Sequence, residues 1–439
     1  MTDRELEVST NGRVIGRLRE AANMWEFAYA PAWSSAESAF DLSPALPRSQ
    51  PVHTDGGSSR PVQWYFDNLL PEENLRMVLA KEARIEAEDA FGLLAHFGAE
   101  SAGSLDLRVP DTPANTARGL RSLTLKALGR RIENLPRDSL LKDAPKRMSL
   151  AGAQHKMLVV LKDGELFEPV GDTPSTHILK PNHVSDDYRA SVMNEYFIMR
   201  LAKAVGLDVP AVHKRYVPQP IYIVDRFDRT GNDPVARIHV IDTCQLLNKS
   251  RAFKYTAANI DALSAAIGHC RAKAAARLQL YRWTVFNALV GNGDNHLKNL
   301  SFIVKPEGIN VAPAYDLLST AVYSTRAMAN ERASWPNVEL AMALGDARTF
   351  AGVTRNHLLD AGNALGLATP TAERELDRML RELPIEAARL SEVIEAESQA
   401  EAAACPYPER AAANLAGEMR VVRAIVHVVL HDMTARVSG

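Results

Sequence analysis

The spacing of apolar residues changes along this chain, and that change restricts its fold more than any single motif does. From Leu6 to Tyr29 apolar and polar residues alternate in the manner of a small β-meander. A Pro-, Ser- and Gly-rich connection over 40–61 leads to Trp64-Tyr-Phe-Asp-Asn-Leu-Leu-Pro71, and helical spacing follows to about His96. Val109 to Gly119, with Pro110 and Pro113, reads as a linker. Period two then returns: Lys156 to Leu161, a turn at Asp163-Gly164, and Leu166 to Val170 predict a hairpin, with His177-Ile-Leu-Lys180 as a further strand. Met193, Phe197, Leu201 and Val205 predict a helix closed by Gly206, and Ile221 to Phe227 completes the sheet-rich region. Beyond about residue 240 the pattern is mostly helical, interrupted by one hairpin over 300–315. The expected organisation is therefore 1–110, an extra N-terminal subdomain; 111–228, a sheet-rich lobe; and 229–439, a helical lobe, together an α+β fold.

At 439 residues the chain exceeds what a single core usually serves. Its 46% hydrophobic and 24% charged residues are ordinary for a soluble globular protein. A net charge of -2 provides no global attraction for nucleic acid or membrane, so any such contact must be a local patch. Cys244, Cys270 and Cys405 lie too far apart in sequence to suggest paired metal ligands, which fits a reducing cytoplasm. Asp3, Glu5 and Glu7 stand where a signal peptide needs basic and then apolar residues. The apolar run from Val421 to Leu430 contains Arg423 and His427 and is too short to span a bilayer.

Leu278, Tyr281, Val285 and Leu289 lie at helical spacing and stop at Gly291, a residue able to take the left-handed conformation that closes a helix. Next comes Gly291-Asn-Gly-Asp-Asn-His-Leu-Lys-Asn299, then the 300–315 hairpin, then Asp316 in Ala-Tyr-Asp-Leu. Asp, Asn and Gly are what any tight turn collects, and an isolated Asp-x-x-x-x-Asn says little. The same layout is also what phosphoryl transfer requires: an Asp to accept the proton of an attacking hydroxyl, an Asn five residues on at Mg²⁺, and a later Asp on the same metal. The hairpin is expected to return Asp316 to the other two. Upstream, Lys180 ends a strand and Glu195 lies on the following helix, which completes the kinase order of strand lysine, helix glutamate, catalytic Asp, Asn and metal Asp. Ser149-Leu-Ala-Gly-Ala-Gln-His-Lys156 offers small residues whose N–H groups could approach phosphates; it is not a Walker loop, and a plain small-residue turn is the competing reading.

Taken together, Phe66-Asp-Asn-Leu-Leu-Pro71, Ser149-x-Ala-Gly-Ala-Gln-x-Lys156, Thr176-His-Ile-Leu-Lys180, Asn194-Glu-Tyr196, Asp225-Arg-Phe-Asp-Arg229, Cys244-Gln245, Lys254-Tyr255, Gly293-Asp-x-His-x-Lys-Asn299 and Tyr315-Asp316 resemble the HipA family of serine/threonine kinase toxins, through nearly the whole chain. The resemblance implies a bilobal protein-kinase-like fold related to lipid kinases, with ATP and Mg²⁺ as cofactors. It makes Asp294 the base and places Asn299 and Asp316 on the metal. Lys180 falls on the ATP phosphates, covered by the backbone of Ala151, Gly152, Ala153 and Gln154, and Val224, Asp225, Arg226 and Phe227 form the hinge at adenine. His296 either holds the loop in shape or exchanges protons, and Lys298 meets either the γ-phosphate or Asp294. Ser149 becomes an autophosphorylation site whose roughly -1.5 to -2 added charges cannot share a pocket with ATP's own anions. Lys146 and Arg147 are then candidates to pair with that phosphate.

The resemblance further implies a growth-arresting toxin linked to persistence, neutralised by a helix-turn-helix antitoxin (HipB-like), with an aminoacyl-tRNA synthetase as a substrate class. Around 345–357 only Arg348 and Arg355 are basic, a thin footprint for nucleic acid, so DNA is expected to be held mainly through the antitoxin. Two other readings stand beside the kinase toxin: a co-repressor whose catalysis is dispensable, and a small-molecule phosphotransferase. Four retained residues, Lys180, Asp294, Asn299 and Asp316, speak against the first; the serine ahead of the loop and the 66–71 segment speak against the second.

Overall fold

A computed structural model describes residues 3–110, 118–142, 144–148, 151–152, 154–231 and 234–439. The chain forms two compact units, each assembled from three separated stretches. The first comprises Met1–Leu179, Asp225–Lys254 and Ser301–Ala312; the second comprises Lys180–Val224, Tyr255–Leu300 and Pro313–Gly439. Residues 1–110 fall wholly in the first unit, whereas 111–228 and 229–439 are each divided between the two.

In the first unit, the alternation read from the sequence becomes an antiparallel meander of Arg4–Thr10, Arg13–Ala21 and Met24–Tyr29. Trp25, Phe27 and Tyr29 all point to the buried face, where Phe27 meets Tyr29 edge-on at 4.9 Å and Phe66 at 5.7 Å. Val52–Thr54 adds to one edge, and Leu105–Arg108 returns to close the other against Arg4–Thr10. A second antiparallel run orders Arg118–Ser122, Glu165–Gly171, Met157–Lys162 and the strand His177–Pro181, of which the part up to Leu179 belongs to this unit. Asp163 (φ 51°) and Gly164 (φ 81°) turn its central hairpin. Two successive left-handed residues match the right-handed strand twist, which is why Asp-Gly marked the turn. The later hairpin, Ser301–Lys305 with Gly308–Val311, takes Val240–Asp242 as its third strand.

The second unit is mainly helical, with helices Ser191–Ala204, Lys273–Leu289, Thr369–Ala404 and Pro408–Ala424 as its largest members. Its core contains Met193, Phe197, Leu201, Val205, Tyr281, Val285 and Leu289 at the spacings read from the sequence, with Leu278 only partly buried, together with Leu280, Phe286, Met379, Leu383, Val421 and Ile425. No helix among the described residues is long and apolar enough to cross a membrane.

Candidate active site

The end of the Lys273–Leu289 helix positions the polar loop directly. Gly291 adopts φ 69°, its N–H donates to Ala288 O, and the Asn292 N–H donates to Asn287 O at 2.9 Å. This is the paired closure of a Schellman motif. It delivers Asn292 in a fixed orientation: Asn292 Nδ2 donates to Asn287 Oδ1 at 2.7 Å, and Asn292 Oδ1 accepts the Asp294 N–H at 3.0 Å. Gly293 N donates to Thr320 Oγ1 at 2.6 Å, and a Cβ there would lie 3.0 Å from that hydroxyl and 3.1 Å from Glu339 O. A side chain there would be tight, and these neighbours would have to shift by a few tenths of an ångström.

The loop then folds back on Asp294. Its carbonyl accepts from His296 N at 2.9 Å and from Asn299 Nδ2 at 2.7 Å. Because Asn299 donates through its nitrogen, its Oδ1 is the side-chain atom suited to a hard cation. The Asp294 carboxylate, by contrast, is less buried, and Tyr255 Oη donates to its Oδ1 at 2.6 Å. His296 Nε2 lies 4.0 Å from the same oxygen, and the Tyr255 ring meets the imidazole edge-on at 4.8 Å. His296 and Lys298 are both buried within the loop.

Lys180 sits between two acids. Its Nζ donates to Glu195 Oε1 at 2.8 Å and also to Asp316 Oδ1. Burial alone would lower the lysine's pKa, yet Asp316 and Glu195 outweigh it and hold it raised. Burial, with Asp316 adding to it and Lys180 opposing, pushes Glu195 up to about 7. Neighbouring bonds fix this constellation. Tyr315 Oη donates to Lys298 O at 2.8 Å, which sets the backbone before Asp316 against the residue before Asn299. Asp316 itself adopts φ 55°, a left-handed conformation uncommon outside glycine and characteristic of strained functional positions. On the helix of Glu195, the preceding Asn194 donates to Ser319 O and accepts from Ser319 N, both at 2.8 Å. Lys180, Glu195, Asp294, Asn299 and Asp316 all belong to the second unit, as does Val224.

The expected phosphate loop belongs to the first unit, where Ser149 and Ala153 lie outside the described residues. Gly152 has φ 107°, and Lys156 Nζ donates to Ala151 O at 2.6 Å, closing a small ring of backbone. Asp225 pairs with His177 at 3.2 Å. Arg226 is not presented to a ligand: its N–H donates to Thr176 O, its carbonyl accepts from Arg229 N, and its guanidinium is buried on Asp228 and Ser175. Lys146 is likewise unsuited to meet a phosphate on Ser149. Its Nζ is buried on Glu100 at 2.7 Å, where it joins Arg229 and Arg237, while Arg147 faces His96. Glu100, fully buried, is paired with four cations, Lys146, Arg226, Arg229 and Arg237, an arrangement that a reading of two basic residues in a row does not reveal.

Tyr255, Asn292, Asn194 and Thr320 support the site without having been assigned a role from sequence. Only the placement of Tyr255 beside Lys254, and of Asn194 beside Glu195, within recurring motifs signalled them.

Residues 148–387 match the family described as HipA-like C-terminal domain, and residues 6–108 match the HipA N-terminal domain. The Sinorhizobium fredii protein Y4mE is 33% identical over 396 residues, covering 87% of this chain and 90% of that protein. The Shewanella oneidensis serine/threonine-protein kinase toxin HipA is 30% identical over 401 residues, covering 85% and 90%. A solved complex of Shewanella oneidensis HipA with HipB and operator DNA matches 97% of each chain with a TM-score of 0.76 and 27% identity.

Proposed function

The chain belongs to the HipA family, and from that premise we propose that it is an ATP- and Mg²⁺-dependent serine/threonine protein kinase acting as the toxin of a toxin–antitoxin module. One observation carries the reading: a buried lysine held jointly by a helix glutamate and Asp316, in the same unit as the Asp294–Asn299 loop. Asp294 orients a seryl or threonyl hydroxyl and takes its proton; Tyr255 yields that carboxylate oxygen when the acceptor enters. Asn299 Oδ1 and the Asp316 carboxylate would hold Mg²⁺, and Lys180, which is paired with Asp316 here, would meet the nucleotide phosphates. Bound Mg-ATP supplies the γ-phosphoryl group. Ala151, Gly152 and Gln154, with Gly152 at φ 107°, are proposed to contact the phosphates, and Val224, Asp225 and Phe227 the adenine.

A HipB-like helix-turn-helix antitoxin is the proposed partner, in a cytoplasmic setting, with an aminoacyl-tRNA synthetase as the proposed class of substrate. DNA is met mainly through that partner, since Arg355 is paired with Asp377 at 2.7 Å and Arg348 turns onto the carbonyls of Gly345 and Ala347. Autophosphorylation at Ser149 silences the enzyme.

Dephosphorylated protein incubated with labelled ATP and Mg²⁺ is expected to label itself at Ser149. Ser149→Ala abolishes the label and keeps growth arrest, whereas Asp294→Asn lowers transfer by about 10²- to 10⁴-fold and abolishes both. Normal ATP binding with no label in the wild type would overturn the kinase reading in favour of a co-repressor.

A further inference from the structure

The 66–71 motif has no part in the chemistry described so far, yet it is bound along much of its length to a second stretch of the first unit. Gln245 Nε2 donates to Tyr65 O at 2.9 Å, Asn68 Nδ2 donates to Lys249 O at 3.0 Å, and Arg251 pairs with Asp67 at 2.9 Å. At the end of this zipper, Lys254 Nζ donates to Glu72 Oε2 at 2.6 Å and to Glu73 Oε1 at 2.9 Å. Glu72 is nearly fully buried, with the Lys254 ammonium against it. Glu73 reaches the lysine from a backbone at φ 50°, a left-handed conformation that a glutamate adopts only when its surroundings impose it.

The edge created in this way touches Gly152. Pro71 forms a parallel bridge with Gly152, and the Glu72 N–H donates to Gly152 O at 3.2 Å. Glu72 is the N-cap of the helix Glu73–Ala83, and its N–H has no acceptor inside that helix. The residue three positions on is Leu75, so no capping box supplies one either.

We propose that Pro71-Glu72, zipped onto the 245–254 stretch and locked by Lys254, is a docking edge that holds Gly152 of the proposed phosphate loop in a nucleotide-ready position. Glu72 and Lys254 are positioning residues: they touch neither nucleotide nor acceptor and act through Gly152. The inference rests on the proposed role of that loop at the ATP phosphates. It accounts for the occurrence of the 66–71 motif, Gln245 and Lys254 in one sequence, because they build one structure.

The test is residue-resolved amide exchange on the full-length protein, paired with ATP kinetics. In the wild type without nucleotide, the Glu72 amide is expected to be protected beyond its neighbours at the helix start. Lys254→Met should speed its exchange and raise KM for ATP about tenfold, since apparent affinity falls with the fraction of loop docked, while kcat changes little. Lys254→Arg should restore both, and amides of the Arg4–Tyr29 meander should be unaffected throughout. Glu72→Gln serves if the methionine variant fails to fold, with the same expected changes. An unprotected Glu72 amide in the wild type overturns the docking edge, as does a variant with free exchange and unaltered KM. A wild type that binds no ATP sinks the kinase reading instead, and the nucleotide-free exchange still decides the docking edge on its own.

Discussion

One cation facing two acids leaves the Lys180 constellation with an excess of negative charge, and burial makes that excess pH-sensitive. The folded pKa of Glu195, about 7, stands above its ordinary 4.5, so its contribution to stability is complete below the ordinary value and is lost as pH rises through 7. Lys180→Met removes the cation that opposes this rise. The variant is therefore expected to lose more stability at pH 8.5 than at pH 6, by as much as about 3–5 kcal/mol at the higher pH. Urea unfolding at the two values measures the difference, and an equal loss at both would contradict the account. The residue scale is also where the sequence was most legible. Lys180, Asp294, Asn299 and Asp316 could be singled out because their types and order are dictated by chemistry. Lys146 and Arg226 could not be placed correctly, since their role is set by Glu100 and Asp228, and charge in a sequence does not say which way a side chain turns.

At the level of elements, the helix Ser191–Ala204 serves the site through consecutive residues, Glu195 by charge and Asn194 by a two-way amide bond to Ser319. Asn194 is fully buried, and its Nδ2 also reaches Tyr323 Oη at 3.2 Å. Asn194→Ala would strand the N–H and C=O of Ser319 and is expected to cost about 3 kcal/mol, with phosphotransfer falling alongside as the Asp316 backbone loosens. Asn194→Asp, which keeps the acceptor and loses the donor, should fall between. A melting-temperature series with parallel activity assays would show the ordering. This helix, the Asp163-Gly164 hairpin and the Schellman closure at Gly291 were legible because each is written in local spacing. The pairing of Leu105–Arg108 with Arg4–Thr10 was not, nor was the Tyr65–Lys254 zipper, because partners so far apart in the chain leave no periodic trace. The helix Thr369–Ala404 runs through Pro384, where local rules would have ended it; tertiary burial of Leu383 and Ala387 on either side overrides that preference.

For the whole molecule, the decisive fact is that each unit is discontinuous. Residues 1–179 taken alone lack both the Val240–Asp242, Ser301–Lys305 and Gly308–Val311 sheet and the Gln245–Lys254 side of the zipper. A 1–179 fragment is accordingly expected to show no cooperative thermal transition by circular dichroism, in contrast to the full chain; a sharp transition in the fragment would show that the first unit needs only its leading stretch. At rest, the intact chain also supplies its own phenol to Asp294. A water held in that place would be a nucleophile in waiting, whereas Tyr255 keeps the place filled. Under the proposed chemistry, idle hydrolysis of nucleotide is held down, and an incoming acceptor enters by exchange. Its first competitor is a side chain of the enzyme itself.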